Sequence, residues 1–327
     1  MARLRARVIA ETRRFFDLRS YLEVDTPLLA PALIPEPHIE VFATEYRVPH
    51  CVAGTPRFLI PSPEVWMKEL LSAGYGNIYQ LGHCFRNAES TGPRHSPEFT
   101  MLEWYNVDAD YMQSADHIDD LLEHLTSMLT DHIPAERIRA CRPPAFRLSV
   151  SESFRRYAGI GAGAFDSVEQ MRGAASAAGL SVQHTGAEGE SYDDLFQRMF
   201  LTLVEEKLPT DRPVILTDYP AALPTLAEQS PGTPFARRWE LYLCGIEVAN
   251  CYSEERDPDR LRSYLQHARE AKRRALVPHP AADGLVAFSS APVCSGVALG
   301  VDRLLMALTG AKEITEVIFS TTFGIFR

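Results

Sequence analysis

Residues 80–105 read QLGHCFRNAESTGPRHSPEFTMLEWY and contain two runs of β-forming residues on either side of a polar loop. This pattern predicts a strand, a charged loop and a returning strand. Arg86 stands where the first strand ends, and a guanidinium held there can bind a phosphate or a carboxylate through two parallel hydrogen bonds. Phe99 offers a flat face for a nucleobase. An ordinary hairpin with a charged turn remains the alternative interpretation of these residues alone.

A second stretch, CSGVALGVDRLLM at residues 294–306, predicts a glycine-containing strand that runs into a helix. Glycines allow a ligand to approach the backbone closely, and Arg303 in the first helical turn adds a positive charge where a helix start attracts anions. Glycines in a strand also mark close packing or a bulge, so this alternative stays open. The sequence contains neither a Rossmann G-x-G-x-x-G nor a P-loop.

A third stretch, GIEVANCYSEERDP at residues 245–258, carries Glu247 and Glu254 seven positions apart. In a regular strand this odd spacing places the two carboxylates on opposite faces, unless a bulge or the strand end brings them together. If they converge, their oxygens suit Mg²⁺ and its phosphates. The alternative is a solvated strand end. Upstream, Ser62 is predicted to cap a helix that has Pro63 and Glu64 in its first turn, which is an ordinary helix start.

The hydrophobic pattern along the rest of the chain predicts separate helices and strands without regular βαβ alternation. Helices are expected at 4–18, 63–73, 111–130, 191–207, 257–275 and 302–309, and strands at 21–25, 77–86, 98–106, 213–218, 235–252 and 293–301. This order favours an α+β fold with an antiparallel sheet. Residues 159–190 are rich in Gly, Ala and Ser and are expected to form a small insertion.

The 327-residue chain has 33 Lys and Arg against 43 Asp and Glu, a formal charge of −10. Because phosphate neutralisation dominates nucleic-acid affinity, this balance gives no support to a general nucleic-acid binder. No segment reaches the roughly 18 apolar residues of a membrane helix, and no signal peptide follows the basic N-terminus. The six cysteines form no C-x-x-C pair. We therefore expect a reduced, cytoplasmic protein that does not bind membranes.

Taken together and in this order, the segments resemble the catalytic domain of class II aminoacyl-tRNA synthetases. The similar parts are motif 1 in the helix and strand that end at Pro27, motif 2 in Phe85-Arg86-x-x-Glu89 with Phe99, and motif 3 in Gly296-x-x-x-Gly300-x-Asp302-Arg303. The resemblance implies one catalytic domain over residues 1–327, with a mainly antiparallel sheet flanked by helices. It also implies a homodimer that uses ATP and Mg²⁺.

The lysyl branch of this family is the most similar. Residues 95–100, HSPEFT, resemble its H-N-P-E-F-T, and residues 250–254, NCYSE, resemble its N-A-Y-T-E or N-G-F-S-E. A subgroup of lysyl-synthetase paralogues, which attaches β-lysine to a lysine of elongation factor P, is more similar still. The chain shares with it T-M-L-E-W-Y at 100–105 and C-S-G-V-A-L-G at 294–300.

Two further features separate this subgroup from the lysyl-tRNA synthetases. Those synthetases usually have glycine in place of Ala298, and one added methyl group reshapes a close-packed pocket. Motif 1 begins at residue 3, which leaves no room before it for an N-terminal OB-fold anticodon domain. We therefore expect no such domain, elongation factor P as the protein acceptor, and no tRNA partner.

The resemblance assigns roles to individual residues of the chain. Arg86 is expected to hold the α-phosphate and the substrate carboxylate, Glu89 to read the adenine amine, Phe99 to stack on adenine, and Arg303 to hold the γ-phosphate. Further nucleotide contacts are expected from Asn87, His95, Ser96, Glu247, Val248 and Gly300. Glu247 and Glu254 are expected to carry Mg²⁺. The diamino acid substrate is expected to contact Ser62, Pro63, Glu64, Glu103, Tyr105, Asn250, Glu254 and Ala298.

The chain also departs from the family pattern at the predicted pocket. The motif 2 loop is about one residue longer than the commonest form, with Ala88 between Asn87 and Glu89. Ser96 replaces the usual Asn, and Cys251 and Ser253 stand where the subgroup often has Gly and His. These positions bear on which amino acid is accepted.

The expected activity is an ATP-dependent ligase that activates (R)-β-lysine or lysine as an acyl-adenylate and transfers it to a protein amine. Arg86, Glu247 and Arg303 are the expected catalytic residues. One alternative is a truncated lysyl-tRNA synthetase that acylates tRNA. Another is an inactive paralogue that acts as a regulatory binding module, although the motif residues that bind ATP are all retained.

Overall fold

The protein is described by a computed structural model that covers residues 1–50, 53–88, 92–182 and 190–318. In this part of the chain the strands are β1 (Leu22–Glu23), β2 (Leu29–Ala30), β3 (Ala43–Tyr46), β4 (Thr55–Leu59), β5 (Ile78–Phe85), β6 (Glu98–Val107), β7 (Phe146–Ser149), β8 (Val214–Pro220), β9 (Phe235–Leu243), β10 (Ile246–Ser253) and β11 (Cys294–Gly300). The helices are α1 (Ala2–Asp17), α2 (Glu64–Ser72), α3 (Tyr111–Met128), α4 (Ala135–Cys141), α5 (Val150–Ala158), α6 (Val168–Ala177), α7 (Tyr192–Leu203), α8 (Pro258–Lys272) and α9 (Val301–Thr309).

The fold is built on a sheet whose described strands run in the order β1-β5-β6-β11-β10-β9-β8-β7. Only the edge pairs β1–β5 and β7–β8 are parallel; the central pairs are antiparallel. This confirms the predicted α+β class. The hairpin of β5 and β6 and the strand β11 are neighbours, so the two stretches from which the fold was predicted lie side by side.

Helices α1, α3 and α9 pack on the main sheet and bury the apolar stripe that predicted them. On α1, Val8, Phe15 and Phe16 are fully buried and join the largest hydrophobic core. Arg5 on the same helix is also buried, where it pairs with Asp302 and donates to Thr100 Oγ1 at 2.7 Å. Because Asp302 lies in the first turn of α9, this buried pair attaches the first helix to the start of α9. Asp302 also immediately precedes Arg303 in the chain.

The predicted insertion at residues 159–190 lies partly outside the described residues. Its described part contains a 3₁₀ turn at Ala162–Phe165 and helix α6, whose Met171 and Ala175 are buried in a second hydrophobic core. That core also includes Phe196 and Phe200 of α7, so this region packs beside the β7–β8 edge of the sheet. That this region is an insertion stays a prediction.

Two local predictions need correction. Helix α2 begins at Glu64 with Pro63 as its N-cap residue, one position later than predicted, although Ser62 Oγ does accept a hydrogen bond from the Glu64 amide at 3.0 Å, as expected of a capping serine. The single strand predicted at 235–252 is a hairpin, in which β9 and β10 meet at a turn through Cys244 and Gly245, both with positive φ. Among the described helices none is long and apolar enough to cross a bilayer.

Candidate active site

A cavity of about 260 Å³ opens on the sheet where the predicted motifs meet. It is lined by many of the predicted residues: Arg86, His95, Ser96, Phe99, Glu247, Val248, Asn250, Ala298, Gly300 and Arg303. These positions come from β6, β10, β11 and α9, together with the loop between β5 and β6. We call this cavity the arginine cleft, because Arg86, Arg94, Arg238 and Arg303 all contribute to its wall.

Arg86 and Phe99 form one end of the arginine cleft. The Arg86 amide bonds to the Pro97 carbonyl at the base of the motif 2 loop, and its guanidinium carbon lies 5.3 Å from the centre of the Phe99 ring. Asn87 bonds through its side chain to the Val41 carbonyl at 3.3 Å, which anchors the loop to the chain before β3. The predicted adenine reader Glu89 lies outside the described residues.

Arg303 joins three parts of the site from the first turn of α9. Its guanidinium lies 3.2 Å from Glu247 Oε2 on β10 and 2.9 Å from His95 Nε2 on the motif 2 loop. Such a fixed guanidinium, with a quarter of its side chain still exposed, is suited to bind an anion that enters the cleft. Ser96 Oγ is buried in the same wall and has no hydrogen-bond partner among the described residues.

The bulge that the sequence analysis required is present on β10. The register with β9 shifts between Glu247 and Ala249, which moves Glu247 to the sheet face shared by Asn250 and Glu254. The two carboxylates nevertheless have different partners, because Glu247 bonds to Arg303 and Glu254 bonds to Lys68. The neighbouring carboxylate that helps to raise the pKa of Glu247 is Glu240, on the adjacent strand β9.

Glu240 and Arg238 belong to a buried polar network that the sequence analysis missed. Arg238 donates to Asn250 Oδ1 at 2.8 Å and to Glu240 Oε1 at 2.6 Å, and Glu240 Oε2 accepts from the hydroxyls of Tyr219 and Tyr242. Burial and then the Glu240 charge raise the pKa of Glu247. Arg238 therefore fixes the predicted substrate residue Asn250 from inside the arginine cleft.

A second cluster, which we call the carboxylate cage, consists of Glu64, Lys68, Glu103 and Glu254. Lys68 Nζ lies 2.6 Å from Glu64 Oε1 and 2.8 Å from Glu254 Oε2 and is almost completely buried. Ser62 and Tyr105 donate to the two oxygens of Glu103, and Tyr252 donates to Glu64. The cage thus places two carboxylates on one ammonium with a third, Glu103, beside them. The predicted substrate residues that meet there are Ser62, Glu64, Glu103, Tyr105 and Glu254.

Gly296 of β11 leaves space for this cage. A Cβ atom at this position would lie 2.6 Å from Glu254 Oε1 and 2.7 Å from the Tyr105 ring. Because atoms cannot approach so closely, only glycine fits here without displacing the cage. Steric exclusion by Glu254 and Tyr105 therefore explains the glycine at position 296, which the sequence pattern alone did not explain.

Burial shapes the protonation of the cage. Desolvation, and then the charge of Glu64, raises the pKa of Glu103 to about 8. Desolvation also raises the pKa of Glu254 to about 7, although Lys68 opposes the shift. Burial alone would lower the pKa of Lys68, but Glu254 and Glu64 reverse this effect and raise it. Because the cage holds three carboxyl groups and one lysine, it can accommodate a further cationic group.

These shifts predict a pH-dependent stability of the ligand-free protein. Since the folded-state pKa values of Glu103 and Glu254 lie above the ordinary value of 4.5, the folded protein holds more protons than the unfolded chain between about pH 4.5 and 8. The stabilisation is fully present below this window and is lost as pH rises through it. We expect Glu103→Gln to flatten the fall in melting temperature between pH 6 and 8, by a few degrees, relative to the wild type. Parallel pH curves for the two proteins would contradict this.

Known proteins similar to this chain show its family. The family model for class II tRNA synthetases (D, K and N) matches residues 1–322. The elongation factor P–(R)-β-lysine ligase of Yersinia enterocolitica is 37% identical over 318 residues, which cover 96% of this chain and 92% of that protein. The ligase of the same name from Klebsiella pneumoniae strain 342 is 39% identical over 322 residues, covering 97% and 93%. The chain therefore belongs to the class II tRNA synthetase family that comprises the D, K and N enzymes.

Proposed function

We propose that the protein is an ATP-dependent ligase that activates (R)-β-lysine or lysine as an acyl-adenylate and transfers it to a lysine side chain of elongation factor P. The observation that carries the proposal is that the arginine cleft and the carboxylate cage adjoin, since Ala298 of the cleft wall pairs across the sheet with Glu103 of the cage. The names of relatives that are 37–39% identical over nearly the whole chain support the acceptor. We further propose a cytoplasmic homodimer with one catalytic domain and an insertion at 159–190.

In this proposal the arginine cleft binds ATP. Arg86 holds the α-phosphate and the substrate carboxylate, Phe99 stacks on adenine, and Arg303 holds the γ-phosphate from the other side. Asn87, His95, Ser96, Val248 and Gly300 complete the nucleotide contacts, and Glu89 reads the adenine amine. The contact between Arg303 and the two residues His95 and Glu247 supports its role, because a pre-positioned charge spends no energy on reorganisation during the reaction.

The carboxylates at the cleft also fit a Mg²⁺ ion. Mg²⁺ prefers hard oxygen ligands and often takes one or two carboxylates together with substrate phosphates. We propose that Glu247 and Glu254, which the bulge in β10 brings to the same face of the sheet, are the carboxylates that would hold the ion. When bound, the ion would supply charge stabilisation on the phosphates.

The carboxylate cage would bind the amino groups of the substrate. Ammonium groups that leave water need carboxylate and hydroxyl partners, which Glu64, Glu103 and Glu254 provide with Ser62 and Tyr105. Asn250 would orient the substrate at the border with the arginine cleft, where Ala298 narrows the wall. Because Lys68 neutralises only part of the acidic charge, a dication with two amino groups suits the cage better than a mono-amino acid.

The chemistry then needs no protein nucleophile. The substrate carboxylate, directed by Arg86, attacks the α-phosphorus of ATP in line and displaces pyrophosphate, whose negative charge Arg303 stabilises. The lysine amine of the acceptor next attacks the carbonyl carbon of the acyl-adenylate. An amide bond forms, AMP leaves, and the amine loses its proton to solvent. The protein residues bind, orient and balance charge throughout.

The test is ATP–pyrophosphate exchange by the purified protein with (R)-β-lysine, (S)-β-lysine and L-lysine, followed by intact-mass analysis of elongation factor P. We expect exchange with at least one lysine isomer, and an acceptor mass increased by one lysyl residue only when ATP is present. Elongation factor P with its acceptor lysine replaced by arginine is the control. Absence of exchange with every isomer would reject the ligase, and charging of total tRNA would favour the synthetase alternative.

A further inference from the structure

Two thiols that the proposed function does not use lie side by side at the edge of the main sheet. Cys141 is the last residue of α4 and is fully buried, whereas Cys244 lies in the β9–β10 turn and is partly exposed. Their Sγ atoms are 3.9 Å apart, although the residues are 103 positions apart in sequence. The other cysteines of the described ranges, Cys84, Cys251 and Cys294, are buried.

The two thiols differ in reactivity. The hydrogen bond from Cys141, against an opposing effect of burial and with help from Arg137, lowers the pKa of Cys244 to about 6. The same contact, together with burial, raises the pKa of Cys141. An accessible thiolate beside a buried thiol is the arrangement in which one cysteine is oxidised first and a neighbour then resolves it.

The turn that carries Cys244 is also connected to the arginine cleft. The Gly245 carbonyl accepts a hydrogen bond from Arg94 at 3.0 Å, and Arg94 is part of the cleft wall. The Arg94 carbonyl in turn lies 3.4 Å from Arg303 Nε. On its other side Cys244 Sγ lies 3.9 Å from the Ala307 carbonyl of α9. Cys244 therefore contacts α9 directly and is linked to the motif 2 loop through the next residue, Gly245.

We propose that Cys141 and Cys244 are a peroxide-sensitive pair whose reversible disulfide ties α4 to the β9–β10 turn and weakens nucleotide binding in the arginine cleft. The Cys244 thiolate attacks one oxygen of hydrogen peroxide, the O–O bond breaks, hydroxide leaves, and a sulfenic acid forms. Cys141 then attacks the Cys244 sulfur, the S–O bond breaks, and the hydroxyl leaves as water with the Cys141 proton. Two thiols and one peroxide give one disulfide and two waters.

The two sulfurs must come closer for this step. A disulfide has an S–S length of about 2.05 Å, so they must approach by roughly 2 Å from their separation of 3.9 Å. A dithiol reductant reverses the reaction by thiol–disulfide exchange through the exposed Cys244 sulfur. The proposal does not depend on the identity of the amino acid or of the acceptor.

The test treats the whole protein with stoichiometric hydrogen peroxide and maps its cysteine peptides by mass spectrometry before and after reduction. We expect a Cys141–Cys244 cross-link with a loss of two hydrogens, restored by dithiothreitol, while Cys84, Cys251 and Cys294 stay alkylatable. Cys141→Ala should stop at a Cys244 sulfenic acid that dimedone traps. A cross-link elsewhere, or none in the wild type, would overturn the site.

Calorimetry with ATP on the same samples tests the coupling to the cleft. We expect the dissociation constant to rise at least severalfold in the oxidised wild type and to return after reduction. Cys244→Ser, which cannot form the bond, should bind ATP equally before and after peroxide. An unchanged affinity in fully oxidised wild type would overturn the link to the cleft, and a change in oxidised Cys244→Ser would assign the effect to another residue.

Discussion

Arg303→Ala is expected to lower ATP–pyrophosphate exchange by a factor of roughly 100 or more while the protein remains folded. Arg303 is the residue that joins Glu247 and His95 across the arginine cleft, and its charge faces the place proposed for the leaving pyrophosphate. A fixed guanidinium in a partly desolvated cleft stabilises developing charge much more than it would in water. The loss should appear as a lower kcat together with a higher KM for ATP.

The stability of the variant separates this role from a structural one. The Arg303 side chain lines the open cleft rather than the hydrophobic core, so its removal leaves no cavity in the core, and the melting temperature should change little. Arg212→Ala is a matched control, because Arg212 is exposed and pairs only with the adjacent Asp211 in the described structure. It should keep both its stability and its exchange rate. Near-normal exchange by folded Arg303→Ala would reject the assigned role.

Lys68→Met is expected to lower the free energy of unfolding by about 3–5 kcal/mol at pH 8, because it leaves the buried carboxylates Glu64 and Glu254 without their shared cation. Methionine fills a similar volume, so the effect reports the charge rather than packing. With Lys68 absent the two carboxyls hold their protons more strongly in the folded state. The destabilisation should therefore be smaller at pH 5.5 than at pH 8.

Urea unfolding at the two pH values measures both effects. Lys207→Met is the control, since this exposed lysine bonds, among the described residues, only to the Tyr157 carbonyl and to no carboxylate. It should change stability by less than about 1 kcal/mol at either pH. If the diamino acid binds in the cage, a high concentration should partly restore Lys68→Met at pH 8. A destabilisation that is equal at both pH values would refute the proposed charge balance.

Much of the architecture follows from local patterns in the sequence. The 80–105 stretch forms the predicted hairpin, and the glycine-containing strand before Arg303 runs into a helix, as expected. These elements can be predicted because hydrophobic periodicity and glycine determine the local backbone conformation over only a few residues. The α+β class and the family were predicted correctly from the order of these elements. The roles of individual site residues stay predictions.

The errors occurred where a turn or a bulge of one or two residues changed the pattern. The turn at Cys244 and Gly245 divides one predicted strand into two, and it turns Glu240 back toward Glu247. Arg238 and Glu240 were missed as neighbours of Asn250 and Glu247, because the segment was treated as one strand. Lys68 could have been found, since it lies four residues after Glu64 on the predicted helix, where side chains meet.

The sequence by itself determined the family, most of the order of the elements and many of the residues that line the cleft, because those depend on local periodicity and on motifs. Only the tertiary structure decided which charges are buried. Arginine and lysine are ordinarily exposed, so the sequence gives no sign that Arg5, Lys68 and Arg238 lie inside. Arg5 is buried because its partner Asp302, 297 positions away, neutralises it at the contact between α1 and α9. Such pairs form only when distant segments fold together and exclude water.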